Sequence, residues 1–251
     1  MRAFHLLAFT ALILVPLAAT VFSNLFLLDI GKVRMDVLIA GNRIIAALYI
    51  LAIAVMLMAN DVSKGMIHIF LTPPSSRRDY LIGRFFGLLV GFVVVLLAAG
   101  IGSEVVLGLT FSEKIEVYRH GLERGDGLLL ALFTFYQLIS ILAAVMFICA
   151  WATSLAEMFV FSAGFLLLSW LLPPVLQAMK SAEVLQHTPE WIVSLLNGVA
   201  YILPSLNGSE IGLALAHGLP ISSIWPHIFE HASYALLMLG LALIALLRRD
   251  L

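Results

Sequence analysis

The chain has 251 residues, of which 62% are apolar and only 12% charged, with a mean hydropathy of +1.08, a balance that excludes a water-soluble domain and marks an integral membrane protein. A net charge of −1 and a pI near 6.6 exclude the basic field that nucleic-acid binding requires. The single cysteine, Cys149, excludes a disulfide framework or a cysteine metal site within the chain.

A bilayer's hydrocarbon core takes about 20 apolar residues as helix. Runs of that kind occur at 4–28, 44–59, 80–109, 128–150, 158–176 and 228–247. They predict an all-α membrane protein of six spans in one transmembrane domain, 1–251, with both termini on the same side. The first run contains Leu17-Ala18-Ala19, which has the look of a signal-peptide cleavage site, but its apolar stretch is longer than a signal core and is expected to stay as a span. Lys and Arg in the loops leave the orientation open. One side holds Arg2, Lys64, Arg77, Arg78, Arg84, Arg248 and Arg249; the other holds Lys32, Arg34, Arg43, Lys114, Arg119, Arg124 and Lys180.

Between the second and third runs lies Asn60–Arg84, NDVSKGMIHIFLTPPSSRRDYLIGR. On a helical wheel Val62, Met66, Ile69 and Phe70 gather on one side, while Asp61, Lys64, His68 and Thr72 share the other. That pattern predicts an amphipathic helix of about three turns. Asn60 or Asp61 can act as its N-cap, and Pro73-Pro74 must end it. Ser75, Ser76, Arg77, Arg78 and Asp79 then form a polar turn whose arginines can meet headgroup phosphates.

The loop 110–127 is charged and broken by glycine, as a solvated connection would be, and the turn 151–157, WATSLAE, lies on the same side as the 60–84 segment. In the connection 177–227 the apolar pieces 191–196 and 199–203 are each too short to span and are interrupted by Gly198 and Pro204. They read as interfacial or re-entrant helices or as an ordinary outer loop. Glu104 is an intramembrane acid near the end of the third span, where it faces a cavity or snorkels to the interface. His227, Glu230 and His231 match the H-x-x-E-H arrangement of some zinc peptidases, which requires a further protein ligand. Polar residues at the wet start of a span account for the same letters. No G-x-x-x-x-G-K-[ST] loop is present, so the chain does not cradle ATP by that device.

The order Gly65, then Pro74-Ser75-Ser76-Arg77, then Tyr80-Leu81-Ile82-Gly83-Arg84, with Asp61 before the glycine, resembles the type 2 ABC exporter permeases. Met66 and Arg84 depart from the threonine and lysine usual there, and the amphipathic N-terminal helix of that family is almost absent. The resemblance implies that 60–76 is a coupling helix seated on a separate ATP-hydrolysing subunit, with Asp61, Val62, Lys64, Gly65, Met66, Ile69, Phe70, Pro74, Ser76 and Arg77 at the contact. Trp151 and Glu157 would add a second, smaller contact. It further implies a second copy or relative of the permease, periplasmic accessory proteins, ATP and magnesium bound by the partner rather than this chain, and a bacterial inner-membrane location with both termini cytoplasmic. Glu104, Tyr201 and Pro204 are the expected substrate-path residues on that reading. A lipid, lipid-linked, haem, metal or other hydrophobic cargo fits it. A membrane metalloprotease and a non-transporting scaffold are the alternatives.

Overall fold

The computed structural model describes residues 2–25, 30–63, 76–112, 124–179, 189–204, 206 and 225–248. Among these no strand occurs, and the protein is all-α. Helix α1 joins Arg2–Phe9, a π-helical turn at Thr10–Leu14, and Val15–Ser23; α2 joins Ile30–Tyr49, a π-helical turn at Ile50–Val55, and Met56–Ser63. Then follow α3 (Arg77–Ser112), α4 (Asp126–Trp151), α5 (Leu155–Met179), the short α6 (Glu190–Ile202) and α7 (Trp225–Arg248). All but α6 are long and apolar enough to cross a membrane, so the chain is a multi-pass membrane protein with six candidate spans.

The second span begins at Ile30 rather than at 44, and its membrane-length portion runs over 32 residues to Asp61, about 48 Å of helix. Residues 30–43 look like a charged loop in sequence, yet two of their polar side chains, Arg34 and Asn42, turn inward. Arg34 is buried and its Nε donates to Ser23 Oγ at 3.0 Å, while Asn42 Nδ2 donates to Ser103 Oγ at 3.3 Å. The helix also continues through Ser63, so Asn60 and Asp61 lie in its last turns instead of capping a new helix. Residues 64–75, and with them most of the expected amphipathic helix, lie outside the described residues.

Helix α4 is the centre of the bundle. Of its most apolar stretch 71% is buried, against 28% for α1 and 22% each for α5 and α7, because α4 packs along both α3 and α7. The main core gathers Ile45, Tyr49 and Ala54 of α2, Phe92, Val95 and Ala99 of α3, and Ile141, Leu142 and Met146 of α4. Without water to drive helices together, such a core depends on close backbone approach, which small residues permit. One such close approach joins α1 to α3. Pro16 has no N–H for the carbonyl of Leu12, and the π-helical turn before it absorbs the mismatch. Gly102 covers that place: a Cβ there would lie 2.7 Å from Pro16 Cγ and 2.9 Å from Leu12 O. Between α2 and α3, the Tyr49 hydroxyl donates to Leu88 O at 2.7 Å and its ring meets Phe92 at 5.2 Å.

Helix α6 resolves the apolar pieces of the fifth-to-sixth connection. They form one helix with Gly198 inside it, and its 13 residues, about 20 Å, are too short to span. Ser194, Asn197 and Tyr201 share one face of the helix, and Trp191, Leu195 and Ile202, all more than half exposed, share the adjoining one. Such a helix suits the membrane interface. Leu203 precedes Pro204, which ends the helix there.

Candidate functional site: the clamped end of the bundle

The ends of α2, α4 and α7 and the starts of α3 and α5 meet on one side of the membrane, the side that carries residues 64–75. Each foot of that segment is held by a separate polar device. At the first foot, Asp61 is 2% exposed and accepts from Arg84 through Nε at 2.6 Å and Nη2 at 2.5 Å, and from the Tyr80 hydroxyl at 2.7 Å. A carboxylate with three donors, two of them a guanidinium fork, is the arrangement in which a buried ion pair offsets its desolvation. Asp61 therefore faces α3, not the solvent-side stripe expected of a partner contact. Its sequence spacing to Arg84 gives no hint of this, because the pairing spans two helices.

The second foot is a reciprocal cap. Ser76 donates its backbone N–H to Asp79 Oδ2 at 3.0 Å and its hydroxyl to the same oxygen at 2.6 Å, while Asp79 N–H returns a bond to Ser76 Oγ at 3.2 Å. This is the capping-box logic with aspartate at the third helical position. Arg77 reaches across to α7, where Nη1 donates to Leu246 O at 2.7 Å and Leu247 O at 3.0 Å. Those carbonyls lie in the last described turn of α7, where a cation beside them is stabilising. Ser76 stays exposed, and Arg77 is half-buried in this contact rather than free for headgroups.

The turn between α4 and α5 is fastened in the same way. Glu157 accepts from the N–H of Thr153 at 2.9 Å and of Ser154 at 3.3 Å, and Ser154 Oγ accepts from Glu157 N–H at 3.2 Å. Glu157 thus closes the N-terminus of α5, and Trp151 and Leu155, 64% and 50% exposed, are the large apolar side chains that this turn leaves at the surface. Beside it a hollow of about 410 Å³ opens between α4 and α7, lined by Phe147, Ala150, Trp151, Leu241, Ile244 and Arg248 among others. Of the remaining expected contacts, the side chain of Val62 and residues Lys64, Gly65, Met66, Ile69, Phe70 and Pro74 lie outside what the structure describes.

The expected substrate-path residues lie on α3, on α6 and just after α6. Glu104 accepts from the N–H groups of Gly125 at 2.9 Å and Gly127 at 3.1 Å, and so caps the start of α4 from α3. Gly125 has φ 101° and Gly127 has no room for a Cβ, which would lie 2.4 Å from Glu104 N, so both glycines are required by this cap. Tyr201 is 93% exposed on α6, and Pro204 is buried just after it. In the H-x-x-E-H stretch, His231 is 2% exposed with Nδ1 3.0 Å from Ser140 Oγ and its ring 5.2 Å from Tyr136, whereas Glu230 is exposed. The His227 side chain is outside the described set, and among the described residues no three His, Cys, Asp or Glu side chains converge as a metal site. Facing α3 and α4, an apolar groove of about 500 Å³ is lined by Val93, Leu96, Leu97, Leu128, Leu129 and Leu132 among others.

No family model matches this chain, and neither does any curated protein.

Proposed function

We propose that the chain is the membrane-spanning permease subunit of an ATP-driven ABC exporter, with both termini and the 60–76 segment on the cytoplasmic side of a bacterial inner membrane. The observation that carries this reading is the pair of fastened feet: Asp61 bound to Arg84 and Tyr80, and Ser76 to Asp79 with Arg77 on the end of α7. A segment that takes up force must hand it to the spans without yielding at its base. An ion pair joining α2 to α3, and an arginine joining α3 to α7, pass a push on 64–75 into three helices at once. A merely tethering loop has no use for such a base.

On this reading a separate subunit binds ATP and magnesium and docks on Gly65, Met66, Ile69 and Phe70, with Trp151 as a second contact. A second permease copy completes the path for a lipid-like or other hydrophobic cargo, and the interfacial α6 lies where such a cargo enters or leaves the membrane. Capture of the chain from its native membrane tests the reading. It is expected to bring down an ATP-hydrolysing subunit in stoichiometric amount, and Met66→Glu is expected to lose that subunit while the permease stays folded. An ATPase complex indifferent to Met66→Glu removes the proposed docking surface.

A further inference from the structure

Helix α2 carries two arginines in the half of its length away from Asp61, and they are treated differently. Arg34 is buried with its Nε on Ser23, just as Arg77 has carbonyls and Arg84 a carboxylate. Arg43 is half-buried, and its Nη2 is sealed from solvent without a hydrogen-bond partner among the described residues. The next residue back repeats the pattern: Asn42 is fully buried, bonded through one amide atom to Ser103, and its other amide atom, Oδ1, has no partner. Turning that amide over keeps the bond to Ser103, with the hydroxyl as donor, and converts the orphan atom into an N–H donor. A half-buried guanidinium with one nitrogen shielded, and with no counter-charge among the described residues, is costly in a membrane protein and marks a place where an anion is expected.

Depth narrows the kind of anion. Arg43 is 18 residues from Asp61 along one helix, about 27 Å, and the hydrocarbon core is about 30 Å thick. With Asp61 at one surface, Arg43 stands at the level where the opposite leaflet's acyl chains meet their headgroups. Ser103, bonded to Asn42, is 19 residues from Arg84 on α3 and so sits at the same level. The guanidinium fork matches two oxygens of a phosphate.

We propose that Arg43, one residue after the orphaned Asn42 amide, anchors a binding site for a phosphate group at the headgroup level of the leaflet opposite Asp61. The site needs no nucleotide-hydrolysing partner, so it stands apart from the transporter reading.

The test uses the full chain in dodecyl maltoside, titrated with dioleoylphosphatidylglycerol and followed by native mass spectrometry, with dioleoylglycerol as the phosphate-free control. The wild type should bind the phospholipid saturably and ignore the control, and Arg43→Gln should weaken binding about tenfold or more, with Arg43→Lys in between. Displacement of the lipid by millimolar inorganic phosphate would assign the site to free phosphate, and resistance to it would assign the site to a lipid headgroup. Equal affinity of Arg43→Gln and the wild type overturns the proposal. Thermal unfolding without added lipid gives a second, independent readout. Loss of an unpaired cation should leave the midpoint of Arg43→Gln at or above that of the wild type. A drop as large as that of Arg84→Gln would mean that Arg43 is paired within the chain, and would equally overturn the proposal.

Discussion

Removing one partner of the Asp61–Arg84 pair leaves the other charged, shielded and without its counter-ion. Asp61 is the more demanding of the two, because its side chain is 3% exposed against 28% for Arg84. Asp61→Ala strands a guanidinium that water can partly reach, whereas Arg84→Ala strands a carboxylate that keeps only the Tyr80 hydroxyl. Breaking a buried pair from one side costs about 3–5 kcal/mol, and the partial exposure of Arg84 places Asp61→Ala toward the lower figure, about 3 kcal/mol. At about 2–4 °C per kcal/mol for a chain of this size, the midpoint in detergent should fall by roughly 6–12 °C. The double variant Asp61→Ala with Arg84→Ala should cost less than the sum of the two single changes, since neither charge is then left unpaired, giving a coupling of about 2 kcal/mol. Strictly additive single effects, or an unchanged midpoint for Asp61→Ala, would show that the two residues do not clamp α2 to α3.

The other interhelical contacts give further expectations. Glu104→Gln should cost about 1–2 kcal/mol by weakening the two bonds to Gly125 and Gly127, and hydrogen exchange should then quicken at the first turn of α4 before anywhere else. Gly91→Ala should destabilise by about 1–3 kcal/mol, because its Cβ would lie 2.5 Å from the Tyr49 hydroxyl oxygen. Adding Tyr49→Phe, which removes that oxygen, should return part of the loss in the same thermal assay, and a double variant worse than the sum would contradict the contact. Glu157→Ala should lower the unfolding midpoint through its lost cap, while Trp151→Ala should leave stability within about 0.5 kcal/mol and reduce capture of the proposed ATPase subunit.

The six spans were legible because about 20 apolar residues in a row leave few other outcomes, and α6 was legible as an apolar piece too short to cross. What hydropathy could not supply was the direction in which a polar side chain points. Lys32, Arg34, Asp36, Asn42 and Arg43 lower the average over 30–43 enough to suggest a loop, yet Arg34 and Asn42 are turned into the bundle, where Ser23 and Ser103 receive them. The same blindness affected Asp61, Arg77 and Glu104. Their partners are on other helices, 23, 169 and 21 residues away for the closest bond of each, and only the packing order of the spans reveals them. Ser76–Asp79 and Ser154–Glu157, by contrast, are local pairs three residues apart, of a kind that spacing alone can suggest.

The most direct test of the transporter account is a cross-link from the segment between the clamps. A photoreactive residue placed at Met66 and irradiated in native membranes should join the chain to a separate subunit that carries a phosphate-binding loop, and the yield should change when ATP is added. Labelling by lipid alone, with no protein adduct in either condition, would contradict a docked ATPase and with it the account of 60–76 as the segment that receives force.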